Sequence, residues 1–365
     1  MRICLCMIVK NEAHVIERCL RSVRPYIHAW AISDTGSSDG TQDIIRRCMA
    51  GIPGELIERP WLDFASNRNE ALELARRYGD YALVIDADDT LGADPDFTWP
   101  DADAIGYMVE IHDACNTHYW RVAVPRLDAG WHWQGVVHEA LCSPDPARPP
   151  RLPGLRIERI HNDGARSRMP PREKFLRDAD VLREALQKEP DNARYMFYLA
   201  QSLRDAGQLA DSIDAYEKRV AMGGWDEEVY FAKLQIALLK ERIAAAHADI
   251  VAAYLNAYDF RPRRAEAACE FARYCRLQKR YAVARDFARI AMQLPVPDDV
   301  LFVDHAVHAW RARDEFSIAA YWCGDYADSA RECRALLADP NLPPGQHERV
   351  QRNLEFSLPH LEMSK

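Results

Sequence analysis

YALVIDADDT, residues Tyr81 to Thr90, is the stretch on which the reading of the N-terminal half turns. A run of β-formers from Tyr81 to Ile85 delivers Asp86, Asp88 and Asp89 within one turn. Carboxylates that close repel one another and give up hydration, so an unspecialised loop would spread them apart. The stretch predicts a buried strand ending where positive charge is meant to sit. Alternate residues of extended chain point the same way, so Asp86 and Asp88 can converge on one ligand.

Working outward, the same edge recurs. Upstream, ICLCMIV and AWAIS read as buried strands, and GELIERP as a third. Between them, Val15, Ile16, Cys19, Leu20 and Val23 fall on one helical face, DGTQDIIRRCMA opens with residues suited to a helix N-terminus, and NRNEALELARRYG is helical. The alternation β-α-β-α-β-α-β predicts an α/β fold, a mostly parallel sheet with helices on both faces. Such sheets bind ligands beyond the carboxyl ends of their strands. DTGSSDGT and DADDT both fall at that edge. From about residue 104 the pattern becomes strands without helices: AIGYMVEIH, HYWRVAVPRL, WHWQGVVHEAL and LRIERIH, with the Pro-rich SPDPARPPRLPG expected as an exposed loop. Residues 151–188 then carry ten Lys and Arg against six acids. This is either a solvated face or, through Arg166 and Arg168, an anion-binding one.

After residue 190 strands disappear. The stretch 191–224 closely resembles one tetratricopeptide repeat (TPR), with Leu199 and Ala200 at the helix contact, Gly207 at the turn, then Leu209 and Tyr216. Later copies over 227–239, 265–295 and 315–340 are weaker. About four units and a terminal helix suffice to bury a continuous solenoid core; an unrelated helical bundle is the alternative. The expected domains are 1–165, a basic linker and helix over 166–190, and helical repeats over 191–365.

The chain has 365 residues, 48% hydrophobic and 28% charged, and a formal charge of −9, which describes ordinary globular domains and argues against a broad nucleic-acid surface. No apolar segment approaches the roughly 20 residues of a membrane span. The start, MRICLCMIVKNE, suits a buried strand better than a secretion signal, giving the expectation of a cytoplasmic location. The ten cysteines form no C-x-x-C pair and read as small reduced core residues.

Five blocks in order, MIVKNEAHVIERCLRSV, ISDTGSSDGTQDII, WLDFASNRNEAL, VIDADDTL and WQGVVHEAL, resemble the family-2 glycosyltransferases of the GT-A fold. The particular resemblance is to the bacterial subgroup with a Lys-Asn-Glu start and a helical-repeat tail, which includes enzymes that glycosylate bacteriocin peptides. The resemblance implies a metal-dependent, inverting hexosyl- or N-acetylhexosaminyltransferase. Its donor would be a nucleotide-sugar, expected to be a UDP-sugar, and its acceptor a hydroxyl or thiol on a peptide or protein, captured by the repeat domain. A homodimer through the same repeats is open. Lipid-linked saccharides or nucleic-acid bases are the alternative acceptors, and a non-catalytic repeat scaffold is the alternative class.

Residue by residue, the resemblance implies that Asp34 holds the base or ribose; the bland alternative is a cap on the loop that follows. Lys10 and Asn11 close the first strand, where Asn11 could equally be a helix cap. Arg68 and Asn69 match a pair beside the donor, with Arg68 facing either a diphosphate or Asp86. Asp88 is the expected principal contact of Mn²⁺ or Mg²⁺, with Asp86 toward the metal or the ribose and His161 completing the metal site. Glu139 is the expected general base, its basicity raised by desolvation near aromatic rings. His138 is its neighbour on the opposite side of a regular strand, an order one bulge would reverse. Trp131 and Trp133 either stack on a sugar or acceptor or pack in the core.

Overall fold

The computed structural model describes residues 1–101, 103–113, 117–160, 164, 169–299 and 301–362. The chain divides into two compact units, Met1–Pro190 with Asp205–Gly207, and Asp191–Arg204 with Gln208–Lys365.

In the first unit, β1 (Ile3–Val9), β2 (Ala29–Asp34), β3 (Gly54–Glu58) and β4 (Tyr81–Val84) form a parallel sheet in the order β3-β2-β1-β4. Buried on both faces, β1, β2 and β4 read as near-continuous apolar runs, whereas β3, at the edge, is only half-buried and mixes Glu with Leu and Ile. Ile3, Leu5 and Met7 pack with Ile16, Leu20 and Val23 of α1 (Ile16–Val23) and with Ile45 of α2 (Thr41–Cys48). On the opposite face Cys4 and Cys6 meet Ala71, Leu72 and Ala75 of α3 (Phe64–Ala75). Helices therefore cover both faces, as the alternation predicts. Cys4, Cys6 and Cys19 are buried free thiols, and burial pushes Cys6 up to about 12.

A second sheet follows, built from β5 (Thr90–Ala93), β6 (Gly106–Asp113), β7 (Thr117–Pro125) and β10 (Arg151–Arg159) in the order β5-β10-β6-β7. Between β7 and β10 lies a short hairpin, β8 (His132–Gln134) and β9 (Ala140–Cys142). Two expectations need correction here, and one strand was not expected. WHWQGVVHEAL is not one strand: Gly135 and His138, at φ 111° and 53°, turn the chain between β8 and β9. The Pro-rich loop ends earlier than expected, because β10 starts at Arg151. It admits Pro153 and Gly154 only by a shift of register between Arg151 and Arg156. And β5, too short to show a period, follows the aspartate turn directly. Helix α4 (Pro171–Lys188) closes this unit.

The second unit is all helix: α5 (Ala193–Asp205), α6 (Leu209–Met222), α7 (Asp226–Arg242), α8 (His247–Phe260), α9 (Ala265–Leu277), α10 (Tyr281–Gln293), a π-helical stretch (Val307–Arg311) running into α11 (Ala312–Trp322), α12 (Tyr326–Ala338) and α13 (Pro344–Glu362). Its repeat shows most clearly in the turns. Gly207, Ala244, Lys279 and Gly324 all adopt left-handed φ, and after each the next N–H closes on a carbonyl five residues back, as in Arg280 N to Cys275 O at 2.8 Å. Four equivalent turns join α5 to α6, α7 to α8, α9 to α10 and α11 to α12, leaving α13 as the terminal helix.

Candidate functional site

The carboxyl edge of the parallel sheet is built by three loops that hold one another. After β1, Asn11 takes a left-handed φ of 56°, receives its place from the Asn11 N–H to Ser37 Oγ bond (2.8 Å), and accepts from Ser38 N (2.9 Å). Glu12 N donates to Thr41 Oγ1 and Ala13 N to Asp39 Oδ2. Lys10 is exposed beside this joint. The first two strand-to-helix loops are thus stapled together, and Asn11 serves as a loop clamp.

Asp34 closes β2 and is fully buried. Its Oδ1 accepts from Gly36 N and Ser37 N, both at 2.8 Å, which is the cap expected of an Asp before such a loop. Its Oδ2, also buried, has no partner among the described residues. One oxygen therefore fixes the loop, and the other is an acceptor left open, which in a folded protein demands a reason.

The aspartate turn follows β4, with Asp89 N closing on Asp86 O at 3.2 Å. Helix α1 anchors it: Arg18 donates to Asp88 O, Cys19 Sγ to Asp86 O, and Ser22 Oγ accepts from Leu91 N. Asp89 is buried, with Oδ2 unpartnered among the described residues. Burial, then the Asp86 and Asp88 charges, push its carboxyl up to about 7. Asp88 lies against Gly164, where any Cβ would strike its carboxylate.

Arg68, on α3, bridges this turn to the hairpin. Its Nη2 donates to Asp86 Oδ1 and its Nε to Glu139 Oε1, both at 2.7 Å, while the guanidinium lies 5.0 Å from the Trp133 ring centre. Burial would raise the Asp86 carboxyl, but the Arg68 guanidinium, with Arg121 and Arg159 further off, outweighs it and holds it well below the usual range. The neighbouring Asn69 gives its amide to the backbone of Trp133, donating to its O (2.8 Å) and accepting from its N (2.7 Å). Asn69 thereby holds β8 in place. The two tryptophans divide: Trp131 is core, donating from Nε1 to Ile105 O at 2.7 Å, while Trp133 backs Arg68. His138 is exposed on the turn, and Glu139 is turned inward to Arg68. His161, Arg166 and Arg168 lie outside the described residues.

The residues that strand alternation brings in unannounced are Tyr119, Arg121 and Arg159. They lie on the face of the second sheet that carries Val109, Ile111 and Ile157, and Arg159 donates to Tyr119 Oη at 3.3 Å. The signal was present in the period-2 pattern of β7 and β10, but nothing local marks these arginines as inward-facing.

No cluster of three or more His, Cys, Asp and Glu side chains among the described residues is arranged to hold a metal ion. The donor chemistry nevertheless fits a hard divalent cation: Asp86, Asp88 and Asp89 place carboxylate oxygens in one turn, and burial with the Asp86 and Asp88 charges raises the Asp89 carboxyl. Among the described residues no helix is long and apolar enough to cross a membrane.

Residues 4–131 match Glycosyl transferase family 2. The SPbeta prophage-derived glycosyltransferase SunS of Bacillus subtilis is 24% identical over 226 residues, 59% of this chain and 52% of that protein. A TPR repeat-containing protein of Synechococcus elongatus is 40% identical over 91 residues, 25% of this chain and 21% of that one. The chain thus spans about a fifth and about half the length of these two relatives. A crystal structure of S. aureus TarS in complex with UDP-GlcNAc aligns over 71% of this chain and 91% of that one, at 12% identity and a TM-score of 0.38, a likeness too slight to carry an argument. Residues 4–131 are thus similar to family 2 glycosyltransferases, and the helices that follow make a TPR-like unit.

Proposed function

We propose that the family 2 domain moves a sugar from a nucleotide-sugar, a UDP-sugar in the simplest case, to a hydroxyl or thiol of a peptide or protein with inversion at the anomeric carbon. The observation that carries this reading is the pattern of open and closed carboxylates at one sheet edge. Asp34 and Asp89 each keep a buried oxygen without a partner among the described residues, while Asp86 and Glu139 are tied together through Arg68. A donor with hydroxyl and N–H groups at one end and a metal-bound diphosphate at the other answers both open oxygens.

In this reading Asp34 Oδ2 accepts from the base or ribose, with Lys10 at the rim. Asp88, with Asp86, Asp89 and His161, would hold Mg²⁺ or Mn²⁺, and a cation bound there would supply charge neutralisation of the leaving diphosphate. Glu139 takes the acceptor proton on Oε2, because Oε1 is occupied by Arg68. The acceptor oxygen or sulfur forms its bond to the anomeric carbon as the bond to the diphosphate breaks, and that electron pair leaves with the diphosphate. Arg68 fixes the base relative to Asp86, and Trp133 keeps water from that pair. His138, on the exposed turn, is outside this proton path. Stacked helix hairpins offer an extended surface of the kind that holds peptides, which is the argument for a peptide acceptor.

The test is intact-mass analysis of cell-extract peptides incubated with the protein, a panel of nucleotide-sugars and Mn²⁺. Hexose or N-acetylhexosamine additions that vanish with Glu139→Gln are expected. Additions found only on free oligosaccharides or nucleic acid would sink the peptide acceptor, and turnover undiminished by Glu139→Gln would sink the assigned base.

A further inference from the structure

Two half-buried arginines beside the aspartate turn form no ion pair with a carboxylate among the described residues. Among the described residues Arg121 makes no hydrogen bond or ion pair, and Arg159 donates only to the hydroxyl of Tyr119. Elsewhere in this unit arginines of comparable exposure are paired: Arg126 with Asp103 and Asp128, Arg156 with Asp94 and Glu158. A cation drawn half out of water and left unpaired is costly, and the turn it faces does not close on it.

The placement follows from register. In the second sheet β6 lies between β10 and β7; Arg121 stands opposite Val109, Tyr119 opposite Ile111, and Arg159 opposite Asp113. Directly paired residues share a face, so Arg121, Tyr119 and Arg159 project with the buried side chains of Val109, Ile111 and Ile157. β10 also pairs with β5, Glu158 opposite Thr90, which sets Arg159 at the level of Asp89 at the end of the turn, and the charges of both arginines reach Asp86 and Asp89.

A wall of positive charge facing a turn of negative charge, each incompletely neutralised, suits a ligand that brings both signs. We propose that Arg121 and Arg159 grip the diphosphate of the bound nucleotide from the side opposite Asp88, with Tyr119 orienting Arg159. The inference rests on the nucleotide-sugar reading above and extends it to residues of the second sheet. Planar guanidinium groups offer paired donors to phosphate oxygens, and two of them would hold the departing nucleoside diphosphate, whose negative charge exceeds what a single divalent cation supplies.

The experiment compares UDP with uridine, each bound in the presence of Mn²⁺, for the full chain and for Arg121→Gln and Arg159→Gln. Each substitution is expected to weaken UDP by about 10-fold or more while leaving uridine unchanged. Arg121→Lys and Arg159→Lys, which keep the charge and guard against misfolding of the glutamine variants, are expected to recover part of the loss. Tyr119→Phe should weaken UDP by only a few-fold. UDP affinity unchanged in the variants, or equal losses for UDP and uridine, would overturn the assignment. Failure of the unaltered chain to bind UDP counts against the nucleotide-sugar reading itself, whereas UDP binding that ignores these arginines counts against this inference alone.

Discussion

The two units differ in how their most deeply buried charges are answered. In the helical unit, Arg264 is 1% exposed and has every guanidinium nitrogen engaged, by Glu266, Asp299 and the carbonyls of Leu301 and Phe302. Arg219 is likewise closed by Glu228 and Gly223 O. Arg276 with Glu315, Arg273 with Glu241 and Arg349 with Asp314 continue the pattern. At the carboxyl edge of the parallel sheet, by contrast, Asp34 and Asp89 are buried with an oxygen unanswered among the described residues. Buried charge that closes on itself specifies structure; buried charge left open is held ready for something else.

Substitutions should therefore separate the units. The largest effect is expected for Glu139→Gln, which keeps a hydrogen-bonding partner for Arg68 and should lower kcat by about 10²- to 10⁴-fold with little change in Tm. Its counterpart in the helical unit is Arg264→Met, which strands Glu266 and should cost about 3–5 kcal/mol in thermal or urea unfolding while the folded fraction still binds nucleotide. If Arg264→Met left stability intact, or Glu139→Gln unfolded the protein, the contrast between the units would fail.

Finer effects sharpen it. Gly164→Ala puts a Cβ into the Asp88 carboxylate, so nucleotide binding with Mn²⁺ should weaken on the order of 10-fold in calorimetry without unfolding. Asp89→Asn is expected to raise Tm in the metal-free protein, removing a carboxylate crowded by Asp86 and Asp88, while weakening metal-dependent binding. A lower Tm would show that the turn is not under electrostatic strain. The smallest effect tests the turns of the helical unit: Ala244, at φ 52°, stands where Gly207 and Gly324 stand, so Ala244→Gly should stabilise by about 1 kcal/mol in urea unfolding.

What the sequence showed, it showed through periodicity. The four parallel strands and three helices were legible because apolar runs and 3.6-residue stripes are dictated by burial on both faces. The repeat unit was legible from Gly207 and the small residues near it, although Ala244 and Lys279 hide two of the four equivalent turns behind ordinary side chains. The WHWQGVVHEAL hairpin was hidden because its reversal depends on His138 at positive φ, which residue type does not declare. For the candidate site, Asp34, Asp86 and Asp88 were marked by their place after strands, and Glu139 by the family resemblance. That Arg68 joins Asp86 to Glu139 is a tertiary fact: α3 and the hairpin are far apart in sequence. Arg121 and Arg159 were invisible for the same reason, since only the pairing of both β7 and β10 with β6 sets them on one face.

The central claim is that the open carboxylates at the strand ends are completed by a nucleotide diphosphate together with a divalent cation. Calorimetric titration of UDP into the full chain, with and without Mn²⁺ and again with Asp88→Ala, tests it most directly. The account predicts saturable binding that requires Mn²⁺ and is lost with Asp88→Ala. Binding of equal strength without the metal, binding indifferent to Asp88, or no binding under either condition would contradict it.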